Sequence, residues 1–68
     1  MIEPIMKIKL NRNQYSSLCY LVNHNEKENS YVTDVNEAFS RCKFFMTNRD
    51  MQESIKNKVK YILFTREE

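Results

Sequence analysis

Not one of the 68 residues is glycine. That single fact removes more folds and functions than any motif present. The loops that cradle phosphate in nucleotide-binding proteins are built on glycine, so neither a P-loop nor a dinucleotide fingerprint can be written in this chain. Tight two-residue hairpins are disfavoured as well, because they need residues at positive φ. Asparagine tolerates the left-handed region better than other residues with a side chain, and eight asparagines are available to stand in.

A chain this short has room for one domain, residues 1–68. At about this size folding buries only about 60% of the unfolded chain's surface, so stability needs support from disulfides, a metal, good packing or a partner. Cys19 and Cys42 each fall in an apolar helical pattern, which reads as two buried free thiols in a reducing compartment. The lone histidine, His24, has no Cys-x-x-Cys or His-x-x-x-His pair to join, so no metal is expected. Residues Met1 to Leu10 hold Glu3, Pro4, Lys7 and Lys9 and lack the apolar stretch of a secretory signal. No run approaches a membrane span. A cytoplasmic protein is the expectation, with Met6 an alternative start.

Ile5 to Leu10 alternates, with Met6, Ile8 and Leu10 on one side and Lys7 and Lys9 on the other, the pattern of a half-buried strand. Asn11 then has the marks of a helix cap: Gln14 completes a capping box, and Leu10 and Tyr15 occupy staple positions. This first helix carries Tyr15, Leu18, Leu21 and Val22 and fades near Asn23. After the polar run Asn23 to Ser30, a second helix is expected to start between Ser30 and Thr33, capped by Thr33 or Asp34. Its stripe is Val32, Val35, Phe39, Cys42 and Met46, with Ala38 and Phe45 at the margin. A third begins near Thr47 to Asp50, with Met51, Ile55, Val59 and Ile62 at helical spacing. From Val59 to Thr65 the composition suits helix or strand. The expected fold is therefore mainly α: one N-terminal strand, then three helical segments, the last of which ends as helix or, giving an α+β fold, as strand. A lone strand cannot leave its backbone unpaired, so Ile5 to Leu10 must pair either with Val59 to Thr65 or with its equivalent in a second chain.

Catalytic machinery is not visible. The carboxylates sit in loops, at helix starts or at the terminus, where solvation, capping or the helix dipole accounts for them. One histidine and no orienting group give neither cysteine an activating partner. The protein is read as a non-enzyme, with no cofactor and no small-molecule substrate. Eleven basic against nine acidic residues, net +2, is too balanced to announce nucleic acid.

The order strand, helix, loop, helix over Ile5 to Met46 nonetheless resembles the ribbon-helix-helix repressors. That resemblance implies a dimer whose N-terminal strands pair and send outward side chains into the major groove. Here those would be Lys7 and Lys9, with Arg12 beside them. The chain departs from the family in its longer glycine-free connection and its extra third element.

The aromatic residues point elsewhere. Tyr20, Phe44, Tyr61 and Phe64 fall off the core stripes when the segments are drawn as helices. Several large apolar side chains off the stripes of so small a chain suggest a second buried surface. The leading expectation is a non-catalytic protein that acts by contact with a protein partner or by self-association through Tyr20, Phe44, Tyr61 and Phe64. Its Asn- and Lys-rich composition suits a phage or mobile-element accessory or inhibitor protein. The dimeric DNA-binding regulator is the alternative.

Overall fold

The computed structural model describes residues 4–67. Among them are three strands and three α-helices: β1 (Ile5–Leu10), α1 (Arg12–Val22), β2 (Ser30–Asp34), α2 (Val35–Arg41), a 3-10 turn at Lys43–Phe45, α3 (Asn48–Lys56) and β3 (Tyr61–Arg66). The strands form one mixed sheet in the order β1-β3-β2. The last strand takes the centre, parallel to β1 and antiparallel to β2. This is an α+β fold, and the mainly-α expectation with a single strand is overturned.

The β1–α1 junction follows from local chemistry. Asn11 accepts the Gln14 backbone N–H at 2.8 Å and donates its own N–H to the Gln14 side chain at 3.2 Å. Leu10 and Tyr15, the two staple residues, are both buried. Asn23 closes α1 in the left-handed region, φ 58°, doing there what glycine does elsewhere. One expected inward residue is displaced: Leu21 is half exposed, and Cys19 takes the inward place beside Leu18.

The largest correction lies in residues 30–46, which were expected to form one helix. They split into β2, α2 and the 3-10 turn. Tyr31, Val32 and Thr33 are the β-branched and aromatic residues that favour extended chain, and they pair with Phe64, Leu63 and Ile62. Helix starts only after Asp34, whose carboxylate accepts the Glu37 N–H at 2.8 Å. The apolar spacing carries on through the break, so Ala38, Cys42 and Met46 still reach the core while Val32 does not.

At the C-terminal end the strand alternative is the correct one. A second capping box, Thr47 with Asp50, starts α3 at 3.0 and 3.1 Å. This helix is only nine residues long and faces Ser54 inward, leaving Ile55 65% exposed. The buried Ser54 hydroxyl is satisfied by the Met51 carbonyl at 2.7 Å. Lys58 then adopts φ 54° and turns the chain into β3.

The core lies between the sheet and the helices. Ile8, Leu10, Ile62, Phe64 and Thr33 point from the sheet into the layer holding Tyr15, Leu18, Cys19, Ala38, Cys42 and Met46. Phe64 and Ile62, fully enclosed on the central strand, each contribute roughly 1.5–3 kcal/mol by burial.

Two measurements check this local account. Asn11→Ala should lower unfolding stability by about 1 kcal/mol in urea titration. Lys58→Gly should raise it by up to about 1 kcal/mol, because a lysine in the left-handed region is strained and glycine is not. An unchanged midpoint for Lys58→Gly would refute the positive φ.

Candidate functional site

Side chains alternate across a sheet, so the residues between the buried ones share the opposite face. In β1 these are Ile5, Lys7 and Lys9; in β3, Tyr61, Leu63 and Thr65; in β2, Ser30, Val32 and Asp34. The register lines them up in three rows: Ile5–Tyr61–Asp34, Lys7–Leu63–Val32 and Lys9–Thr65–Ser30. No described element covers this face. Ile5 is 43% exposed, Val32 51% and Tyr61 37%, and the two less open residues, Leu63 and Thr65, both lie on the central strand between neighbours. The result is an apolar diagonal of Ile5, Tyr61, Leu63 and Val32, with two lysines along one side and Asp34 at a corner. Three strands about 4.8 Å apart and about six residues long at roughly 3.3 Å each give a face of roughly 300 Å².

The four aromatic residues singled out in the sequence part company here. Tyr61 lies on the open sheet face. Tyr20 and Phe44 belong to the helix layer and are 91% and 90% exposed. Phe44 meets Phe45 edge to face at 5.6 Å, but it stands on the 3-10 turn rather than on a continuous helix. Phe64 is fully buried in the core, so it is corrected from a partner-binding residue to a structural one. Ile5, Val32 and Leu63 were missed. The signal that finds them is the alternation of Tyr61, Leu63 and Thr65 against Ile62 and Phe64, which the helical reading of that segment obscured.

The ribbon-helix-helix expectation fails on connectivity, because β2 intervenes between α1 and α2 and β1 is already paired to β3 within the chain. Lys7 and Lys9 do share the outward face. Arg41 stands in the helix layer, held by Glu37 at 3.2 Å and the Leu21 carbonyl at 3.1 Å.

The remaining reactive groups are tied down by burial. Both cysteines are free, and burial pushes both thiols up from their usual range, which keeps them protonated at neutral pH. A shallow groove at the end of α1 collects Ser16, Cys19, Tyr20, Asn23, His24 and Glu26. His24 within it is occupied, its Nε2 lying 3.0 Å from the Ser30 carbonyl and 3.3 Å from Glu28. Among the described residues no three of His, Cys, Asp and Glu come together to hold a metal, and no helix is long and apolar enough to cross a membrane.

Tyr15 is the most perturbed group. Its hydroxyl is buried with no oxygen or nitrogen partner, and the Cys19 thiol is its polar neighbour. Burial first, then the neighbouring Cys19 and the charge of Glu28, push its pKa up to about 12, against a lesser opposing effect of Arg66. No protein-family model, curated protein or solved structure matches the chain.

The Tyr15 shift fixes a pH dependence. The folded phenol holds its proton above the ordinary value of 10.0, so its contribution to stability is complete below pH 10 and is lost as the pH climbs toward about 12. Tyr15→Phe should remove that alkaline loss. It should change neutral-pH stability by no more than about 1 kcal/mol, because the buried hydroxyl has only the weakly bonding Cys19 thiol beside it to lose. Urea titrations at several pH values read both. In the same protein, thiol reagents should label Cys19 and Cys42 only after unfolding.

Proposed function

We propose that this protein is a non-catalytic binding protein whose docking surface is the uncovered face of its sheet, and that the surface takes another protein. The supporting observation is the register itself, which puts Ile5 beside Tyr61 and Leu63 beside Val32 on a face that no described helix covers. A contiguous apolar patch rimmed by polar residues is how protein contact sites are made. Lys7 and Lys9 along one side favour a partner with an apolar centre and acidic residues at that margin, since complementary charge steers and orients association.

Charge placement favours protein over nucleic acid. A nucleic-acid surface needs its cations on one face. Here Lys7 and Lys9 stand on the open sheet face while Arg41 is spent in the helix layer on Glu37 and a carbonyl. Tyr61 is the one aromatic on the open face, too few for a stacking platform. Tyr20 and Phe44 are single exposed side chains on the other layer, and isolated exposure needs no function.

A photo-crosslinking side chain at position 61 should give protein adducts in the native cell, and one at position 44 should not. With the captured partner purified, Tyr61→Asp should keep the circular dichroism of the parent and weaken binding at least about thirtyfold, the scale of an interfacial hot spot of about 2 kcal/mol. Adducts to nucleic acid, or adducts at 44 alone, would sink the proposal.

A further inference from the structure

The two outer strands of the sheet end differently. On β2, His24 Nε2 lies 3.0 Å from the Ser30 carbonyl, and Asp34 accepts the Glu37 N–H at 2.8 Å as the cap of α2. That edge is occupied at both ends. On β1, the outermost strand of the other side, the bonds next to the ladder fix which groups turn outward. Pro4 and Leu10 accept from Lys60 and Glu67, so the even-numbered residues bond toward the centre of the sheet. The outward N–H and C=O groups belong to Ile5, Lys7 and Lys9, and among the described residues nothing bonds them.

The side chains of the same three residues stand on the open face, so the charge beside this edge is set by Lys7 and Lys9. Both lysines are exposed, and neither is paired with a carboxylate of the described residues. Asp34 stands two strands away across the sheet, roughly 10 Å at the usual strand spacing. Two β1 edges brought together antiparallel would set Lys7 against Lys7, or Lys7 against Lys9. Like charges directly opposite are destabilising, which is why lysines deter edge pairing. The same two charges favour a strand that carries carboxylates opposite them. Repelling one strand while attracting another is how specificity is built. On the helix side of β1, Met6 is only partly buried.

Building on the reading of the open face as a protein surface, we infer that the partner protein presents an extended acidic segment, which adds to the β1 edge as a fourth, antiparallel strand. Lys7 and Lys9, with both backbone groups outward, each fall at a hydrogen-bonded pair and exchange two N–H···O=C bonds with the residue opposite. Those two opposite residues are Asp or Glu. The residue between them turns to the helix side, opposite Ile8 and beside Met6, and is apolar. Main-chain bonds supply the affinity of such a strand, and its alternating side chains supply the specificity. The open face alone, at roughly 300 Å², is small beside the roughly 800 Å² that each partner contributes to a standard interface. The edge adds bonds and area next to it.

The test uses the full chain and a short blocked peptide that alternates glutamate with valine. In a chemical-shift titration this peptide should bind saturably, with the largest shifts on β1, and at least about tenfold more tightly than a lysine–valine counterpart. A glutamate–valine peptide N-methylated on the amides that would bond β1 keeps every charge but cannot pair, and should bind at least about tenfold more weakly. Hydrogen exchange should show the Lys7 and Lys9 amides slowing at least about tenfold in the complex. Lys7→Glu combined with Lys9→Glu, at two exposed positions, should keep the circular dichroism of the parent and reverse the preference between the two unmethylated peptides. Undetectable binding of the glutamate peptide at about millimolar concentration would overturn the added strand, even with protein adducts still forming at position 61. Equal binding of the methylated peptide, shifts centred away from β1, or a preference that survives the charge reversal would overturn it too. Peptide binding as expected, with no adducts at position 61, supports the strand and removes only the reading of the open face.

Discussion

The pairing of β3 between β1 and β2 is the constraint on which the rest depends. A strand half buried at the start of a small chain leaves a row of amide groups that must be satisfied, and an unpaired buried amide costs about as much as a lost hydrogen bond. β3 meets that need from the opposite end of the sequence, bonding β1 on one side and β2 on the other. Every intervening element is placed by this closure. α1 crosses beneath β1 and β3, α2 beneath β2 and β3, and α3 with the Lys58 turn delivers the chain to the centre of the sheet. The two largest fully buried aromatic residues, Tyr15 and Phe64, meet in the same core from the first helix and the last strand.

How far this was legible from the residues depends on the range of the interaction that decides each element. The β1–α1 junction was legible because all of its determinants, Leu10, Asn11, Gln14 and Tyr15, lie within six positions. Asp34 was one of two caps the sequence offered for α2, although the helix was expected to begin earlier, between Ser30 and Thr33, and Thr47 lay within the Thr47 to Asp50 range for α3. β2 was not legible. Val32, Val35, Phe39 and Cys42 satisfy helical spacing, and nothing local says that the first of them belongs to a strand. What decides it is Leu63, 31 positions away, whose strand needs a second neighbour. The open face was hidden by the same ambiguity. Reading Tyr61 and Phe64 together as off-stripe residues of a helix joined a surface side chain to a core one. In a strand their odd separation puts them on opposite faces.

The absence of glycine shows how composition is absorbed by geometry. Two positions in the described chain require positive φ, and they are filled by Asn23 and Lys58. Asparagine at the end of α1 is a modest concession, since its short polar side chain tolerates that region. Lysine before β3 is a larger one, and it falls at the turn that lets the final strand enter the middle of the sheet. The rest of the chain avoids the need: β1 and β3 are parallel and far apart in sequence, and β2 reaches β3 by way of two helices instead of a tight hairpin.

One open face is the natural outcome of this architecture at this length. A sheet needs a covering layer on each side to be fully enclosed, and three short helices suffice for one. The exposed side is then constrained from two directions. Its apolar residues cannot be numerous, or the protein would aggregate; its central strand cannot be wholly polar, because Leu63 must sit between two neighbours at close spacing. The two edges are guarded differently: Lys7 and Lys9 put like charges along β1, and on β2 His24 stands against the Ser30 carbonyl at 3.0 Å. A domain whose core alone is marginal has a physical reason to keep an open apolar face, because anything that binds the folded state adds stability that a small core does not supply.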